Sequence, residues 1–351
     1  MFSKIQDSGS GSVFCCVHRR QSSVSGLKPW GGRMKWIHLR ACIIILIATG
    51  VTLLAQAPPE TQPAYKKATA LIERGRYDEA IEAFQLALRL RPDSALIQND
   101  LGYAYFLTRR YLQAIKAYQQ AIRLRPDYAL AHNNLGIAYL RLEDYEMAYA
   151  SLKSSLAIKP DYVTAHYNLG VAYYTAGRIA EAIGCFQQTI RLDPNNAAAL
   201  NNLGVAYLEM GSYGEAIDIL KRALSLDSRL SVAERRLGCA YYKAGLLKEA
   251  IDVFKSMLNR HPDDEEVYNN LGVAYADLHQ FKQAVKAYQR AIALNPSFSE
   301  AHHNLALAYM ALNDRTGALG EYALLKKLDA VQAELLYKEI YHGQVVDLSY
   351  K

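Results

Sequence analysis

The stretch Asn133-Asn134-Leu135-Gly136-Ile137-Ala138-Tyr139 recurs as Asn201-Asn202-Leu203-Gly204-Val205-Ala206-Tyr207 and again as Asn269-Asn270-Leu271-Gly272-Val273-Ala274-Tyr275. Each copy begins 68 residues after the one before it, and a looser copy, Tyr167-Asn168-Leu169-Gly170-Val171-Ala172-Tyr173, begins midway between the first two. The period of the sequence is therefore 34 residues. A fixed period of this length is typical of proteins whose units stack in one direction. The sequence thus predicts one stacked array and not several globular domains.

Outward from that stretch, the 34-residue frame runs without insertion from residue 61 to residue 332, which makes eight units. Each unit contains two segments with the spacing of amphipathic helices. The first segment often ends at a glycine, which adopts the left-handed cap conformation most readily; these glycines are Gly75, Gly177, Gly211 and Gly245. The second closes at a proline in most units. We expect the residue after that proline, such as Asp127 or Asn195, to cap the next helix.

Particular residue types recur at fixed positions, which we count from the first residue of each unit. Alanine occupies position 20 throughout: Ala80, Ala114, Ala148, Ala182, Ala216, Ala250, Ala284 and Ala318. The second unit carries further small, apolar and aromatic residues at regular places: Leu101, Gly102, Tyr105, Tyr118, Ala121 and Pro126. Over residues 61–332, this pattern resembles the tetratricopeptide repeat family.

The resemblance implies an all-α fold, a right-handed superhelical solenoid of eight helix pairs. It also implies that the first helix of each pair lines a concave groove. A small residue is expected where the two helices of a pair cross, because a larger side chain would be strained there. Residues 333–351 are expected to form a C-terminal capping helix and tail.

An N-terminal hydrophobic segment precedes the array. Residues 1–40 are basic and predicted to be disordered, whereas residues 41–59 are uncharged and long enough to span a bilayer. Ala55-Gln56-Ala57 is similar to a signal-peptidase site, but Pro58 directly after it disfavours cleavage. Two interpretations remain: a retained membrane anchor, which we favour, or a cleaved export signal. In both, the basic flank places the array on the non-cytoplasmic side.

The charge and the motifs of the chain exclude several functions. The formal charge of +6 is carried entirely by residues 1–57, so the array lacks the basic stripe that nucleic-acid binding requires. His132, His166 and His302 share position 4 and lie too far apart to converge on one metal ion. The sequence shows no catalytic constellation, cofactor motif or small-molecule site. We therefore predict a protein that is not an enzyme and needs no cofactor.

The candidate binding site follows from the residues that the family resemblance places in the groove. Asparagine recurs at position 6, as Asn134, Asn168, Asn202, Asn270 and Asn304. An asparagine amide can pair with both polar groups of a peptide unit. Tyr174 and Tyr242, at position 12, would contact ligand side chains. Arg235 and Arg236 would bind carboxylates of the ligand.

These features predict a non-enzymatic scaffold for protein–protein interactions, tethered to a membrane or exported. Its partners are expected to be proteins that lay extended segments in the groove. The alternative is a structural component that self-associates through exposed repeat faces and has no dedicated peptide groove.

Overall fold

The computed structural model describes residues 62–227 and 230–342. Within these residues all regular secondary structure is helical, and it comprises seventeen helices. The predicted segments 1–40 and 41–59 lie outside the described residues, as do residues 343–351 of the tail. None of the helices in the described part is long and apolar enough to cross a membrane.

Sixteen of these helices form eight pairs in the predicted frame, and a seventeenth follows them. They are α1 (Gln62–Glu73), α2 (Tyr77–Leu90), α3 (Ala95–Leu107), α4 (Tyr111–Leu124), α5 (Ala129–Arg141), α6 (Tyr145–Ile158), α7 (Val163–Thr175), α8 (Ile179–Leu192), α9 (Ala197–Met210), α10 (Tyr213–Leu226), α11 (Ser231–Lys243), α12 (Leu247–Arg260), α13 (Glu265–Asp277), α14 (Phe281–Leu294), α15 (Ser299–Ala311), α16 (Arg315–Leu328) and α17 (Ala330–His342). The helix content and the pairing confirm the all-α repeat architecture.

The helices of each pair pack where the sequence has its smallest residues. All eight alanines at position 20 are fully buried. A Cβ atom added to Gly102 would lie 2.7 Å from the ring of Tyr118, and one added to Gly272 would lie 2.5 Å from the ring of Tyr288. The glycine at position 8 therefore lets the ring at position 24 lie directly against the backbone of the first helix.

A left-handed residue links the two helices in every pair. The predicted glycines adopt φ values of 74° to 78°, and in the other four repeats Arg109, Glu143, His279 and Asn313 adopt φ values of 58° to 62°. The next backbone N–H bonds to a carbonyl of the helix, as in Arg76 N to Leu71 O at 2.9 Å. This is the hydrogen bond of the Schellman motif. The turn is thus a property of the repeat even where glycine is missing.

Helix capping departs from the prediction by one residue. Neither Asp127 nor Asn195 caps a helix through its side chain; Asp127 is followed by Tyr128 as the N-cap of α5. The side chain of Asn196, at position 34, accepts from Ala199 N at 3.0 Å, and that of Asp264, also at position 34, accepts from Val267 N at 3.0 Å. The reason is that two residues, and not one, separate the proline from the helix that follows.

By compactness the chain divides between residues 206 and 207 into an N-terminal unit and a C-terminal unit. In the N-terminal unit, first helices contact each other directly, α3 with α5 and α5 with α7. In the C-terminal unit the same holds for α11 with α13 and α13 with α15. Each unit therefore presents one face that is built from first helices, which we call the first-helix face.

The last helix covers the end of the C-terminal unit. α17 contacts both α15 and α16, and it buries Leu336 and Ile340 beside Ala306 and Leu325. It begins at Ala330, where the side chain of Asp329 accepts from the backbone N–H groups of Val331 and Gln332. The helix thus starts within the eighth repeat, at the position that proline holds in most other repeats.

Candidate functional site

Hydrogen bonds between amide side chains cross the first-helix face from repeat to repeat. Asn134 Nδ2 donates to Asn99 Oδ1 at 3.1 Å, and Asn168 Nδ2 donates to Asn133 Oδ1 at 2.9 Å. Asn202 Nδ2 donates to Tyr167 Oη at 3.0 Å, and in the C-terminal unit Asn304 Nδ2 donates to Asn269 Oδ1 at 3.0 Å. In each pair, position 6 of one repeat donates to position 5 of the repeat before it.

Bonds within single repeats join these pairs into a continuous chain in the N-terminal unit. Asn133 Nδ2 donates to Asn134 Oδ1 at 3.2 Å, and Asn99 Nδ2 donates to Asp100 Oδ1 at 3.0 Å. The donors therefore run in one direction, through Asn168, Asn133, Asn134 and Asn99, and end on Asp100. A carboxylate only accepts hydrogen bonds, so it is a suitable end for such a chain.

The predicted asparagines differ in how far they reach the surface. Asn134, Asn168 and Asn270 are buried, with 3%, 7% and 6% of their area exposed, whereas Asn202 and Asn304 are half-buried. The amides of Asn134 and Asn168 are used within the array. The sequence did not predict the role of Asn99, Asn133 and Tyr167 at position 5. The signal was present, however, because polar residues recur there immediately before the asparagine ladder.

Asp100 is half-buried at the N-terminal end of this chain. Tyr65 Oη donates to its Oδ2 at 2.6 Å, so the carboxylate receives two neutral donors. Burial raises the pKa of Asp100 to about 6, although the hydrogen bonds from Tyr65 and Asn99 act in the opposite direction. Burial, followed by the charge of Asp100, also raises the pKa of Tyr128. The hydroxyl of Tyr128 thus lies within the field of this carboxylate.

Apolar side chains lie beside the amide chain at positions 9 and 12. Ile137, Leu140, Val171 and Tyr174 are half-buried and follow one another along α5 and α7. In the C-terminal unit Tyr242 is buried, with 7% of its area exposed, and its hydroxyl donates to Asp277. The predicted aromatic residues therefore differ: Tyr174 reaches the surface of the first-helix face, and Tyr242 packs beneath it.

The predicted arginine pair lies on α11. Arg235 forms an ion pair with Glu266 of the next repeat, and Arg236 is half-buried beside it. Arg235 and Glu266 are 31 residues apart, and a hydrogen bond with the same separation joins Asn269 Nδ2 to Glu300 Oε1 at 3.3 Å. Burial raises the pKa of Glu300 to about 7. The C-terminal unit thus supplies Arg235 with a carboxylate from its own chain.

The three histidines at position 4 join consecutive repeats. Nε2 of His132, His166 and His302 lies 2.9 Å, 2.9 Å and 3.1 Å, respectively, from the carbonyl oxygen of the proline six residues earlier. His302 Nδ1 also contacts Glu321 Oε2 at 2.5 Å. Among the described residues, no group of three or more His, Cys, Asp or Glu side chains is arranged to hold a metal ion.

Comparison with protein families identifies the repeat. The family model described as the C-terminal domain of cilia and flagella-associated protein 70 matches residues 54–237, just over half of the chain. Three models of the tetratricopeptide repeat match residues 207–272, 265–298 and 287–323. A comparison with curated protein sequences gave no significant match.

Solved structures share the fold at low sequence identity. One chain of the APC/C hetero-tetramer Cut9–Hcn1 is 18% identical in sequence to this chain, with a TM-score of 0.55. The match covers 80% of this chain and 57% of that chain. A tetratricopeptide repeat protein from Parabacteroides merdae is 16% identical, with a TM-score of 0.52 over 72% and 99%. PilF from Pseudomonas aeruginosa is 22% identical, with a TM-score of 0.50 over 61% and 99%. These similarities concern the fold alone.

Proposed function

Because the chain belongs to the tetratricopeptide repeat family, whose members are generally non-enzymatic and bind proteins, we propose that it is a scaffold holding extended partner segments on its first-helix face. The observation that supports this is the arrangement around the amide chain. The amides of Asn134 and Asn168 fix the first helices of consecutive repeats in register. Beside them lies a half-buried apolar row, which consists of Ile137, Leu140, Val171 and Tyr174.

An extended segment fits such a row. Successive repeats present apolar residues at the same positions, 9 and 12. An unstructured ligand can therefore place side chains on several repeats. Asn202 is half-buried and uses one amide N–H on Tyr167, which leaves a second N–H for a ligand carbonyl. Asn304 has the same arrangement with Asn269 in the C-terminal unit. Arg235, already paired with Glu266, and Arg236 would add affinity for acidic ligand groups.

The test is site-specific photo-crosslinking in intact cells. A photoreactive residue is placed at Ile137 or Tyr174, and a third probe replaces Leu112, which is 68% exposed on the second helix α4. We expect both first-helix probes to label one linear segment of the same partner, while the Leu112 probe does not. Labelling of another copy of this chain by all three probes would instead support self-association.

We also propose that residues 41–59 tether the array to a membrane, with the array on the non-cytoplasmic side. The supporting features are the basic residues that precede the segment, its uncharged length of 19 residues and Pro58 after Ala57. Protease added from the non-cytoplasmic side should digest the array while the full-length protein stays with the membrane. A soluble product that begins near Pro58 would replace the anchor with a cleaved signal, and an array that resists the protease would contradict both.

A further inference from the structure

The carboxylate of Asp100 has no cationic partner within the part of the chain that the structure describes. Its contacts are the hydroxyl of Tyr65 at 2.6 Å and the amide of Asn99 at 3.0 Å, both of them neutral. By contrast, Arg235 is matched by Glu266. A half-buried charge without an opposite charge is costly to hold, and the hydrogen bonds offset only part of that cost.

The position of this charge links it to the proposed ligand. Asp100 occupies position 6 on the first-helix face, where asparagine stands in five of the repeats. It is half-buried, so part of the residue reaches the surface of that face. The half-buried row begins at Ile137 on α5, a first helix that contacts α3, on which Asp100 lies. A segment lying on that row would pass this carboxylate.

The surroundings of Asp100 are aromatic. The hydroxyl of Tyr65 holds one carboxylate oxygen in place, and Tyr128 lies within the field of the charge. Arg125 lies over the ring of Tyr128, with Cζ 4.4 Å from the ring centroid. The ring of Tyr128 thus already holds one cation through a cation–π contact.

We propose that Asp100 receives the basic side chain, arginine or lysine, of an extended segment bound to the first-helix face of the N-terminal unit. This proposal rests on the proposed function, and it specifies in addition that the bound segment carries a positive charge. A guanidinium or ammonium group would compensate the carboxylate by a charge-assisted hydrogen bond. Tyr65 is a positioning residue, since it fixes the orientation of the carboxylate.

The test uses two pools of nine-residue peptides and the full chain. Both pools draw their outer positions from Ala, Ser, Leu, Val and Tyr; the central residue is arginine in one pool and its neutral isostere citrulline in the other. We expect wild-type protein to bind the arginine pool about ten-fold more tightly than the citrulline pool. This preference should decrease as salt is added, because the contact is ionic.

Asp100→Asn is the matched variant: its amide oxygen can still accept from Asn99, and its NH2 group can donate to the hydroxyl of Tyr65, which accepts as well as donates. We expect it to bind the two pools equally, and a cooperative thermal melt will show that the variant is folded. Equal binding of both pools by wild-type protein, or a preference that survives Asp100→Asn, would overturn the proposal and leave the proposed function in place. Failure of wild-type protein to bind either pool would overturn both.

Discussion

Asn134 donates its amide N–H to the side-chain oxygen of Asn99, 3.1 Å away, and so ties the first helix of one repeat to that of the repeat before it. Apolar contacts between helices allow some sliding, whereas a buried hydrogen bond of defined length and direction does not. Four donor–acceptor pairs with the same offset of 35 residues occur among the described repeats; two of them are buried and two are half-buried. Neighbouring repeats are thereby held in a single register.

Replacing Asn168 by alanine should destabilise the third and fourth repeats. The change removes the donor to Asn133 Oδ1, and Asn133 is 2% exposed, so water does not readily replace the lost bond. A buried acceptor left unsatisfied costs about 1–3 kcal/mol. Hydrogen exchange of α5 and α7 measures the effect. Asn259→Ala, at an exposed position of α12, is the control for helix propensity, and an equal effect in both variants would contradict the prediction.

Two glycines of the fourth repeat should respond in opposite ways to alanine. A Cβ atom at Gly170 would lie 2.7 Å from the ring of Phe186, whereas one at Gly184 meets no atom within 4 Å. We expect Gly170→Ala to destabilise by about 1–3 kcal/mol through overpacking. Gly184→Ala should stabilise by about 0.5–1 kcal/mol, because alanine is the better helix former. Denaturant unfolding of both variants checks this, and a shared sign would be inconsistent with it.

Glycine should stabilise the left-handed turns that lack it. Glu143 adopts a φ of 62° and Gly177, at the same position one repeat later, a φ of 78°. The left-handed conformation costs a residue with a Cβ atom about 1–2 kcal/mol, and part of this is offset by the lower backbone entropy of the unfolded non-glycine residue. Glu143→Gly should therefore raise the stability by about 0.5 kcal/mol, and Gly177→Ala should lower it. Thermal melts decide, and a lower melting temperature for Glu143→Gly would refute the argument.

Asp100 should make the N-terminal unit less stable as the pH rises from 4 to 7. Its pKa is about 6 in the folded chain, whereas an unfolded aspartate has a pKa of about 3.9. The folded state therefore binds the proton more tightly, and the stability gained from that proton is lost as the pH rises through 6. Glu300, with a pKa of about 7, acts in the same sense in the C-terminal unit.

The measurement for this effect is the difference in melting temperature between wild-type protein and Asp100→Asn at several pH values. The difference cancels the contribution of Glu300 and of other carboxylates. We expect Asp100→Asn to gain stability over wild-type protein between pH 4 and pH 7. A difference that stays constant over this range would show that the charge of Asp100 has no effect on folding.

The sequence was sufficient to predict the repeat and the packing of the two helices within it, because both depend on single residue types at single positions. Alanine at position 20 and glycine at position 8 indicated where helices cross, and the structure confirms both sites. Turn geometry was predicted at the four glycines but not at Arg109, Glu143, His279 and Asn313, where the repeat imposes a conformation that the residue does not favour.

The site could be predicted only in part, for a different reason. The asparagines were found, but their partners lie 35 residues away, at position 5 of another repeat. That pairing depends on how far one repeat is rotated against the next, and no pattern within a single repeat contains this information. The same holds for Arg235 and Glu266, which are 31 residues apart.

The one-directional hydrogen-bond chain bears on how such an array can lengthen by duplication of its gene. A copied third repeat would present Asn134 to another Asn133, and the new junction would bond as the old one does. A copied second repeat would instead place a second Asp100 against Asn99, so that a carboxylate would stand where Asn134 now donates to Asn99 Oδ1, and it would bring two carboxylates onto one face. Growth by recombination is therefore favoured in the middle of the N-terminal unit and opposed at its beginning.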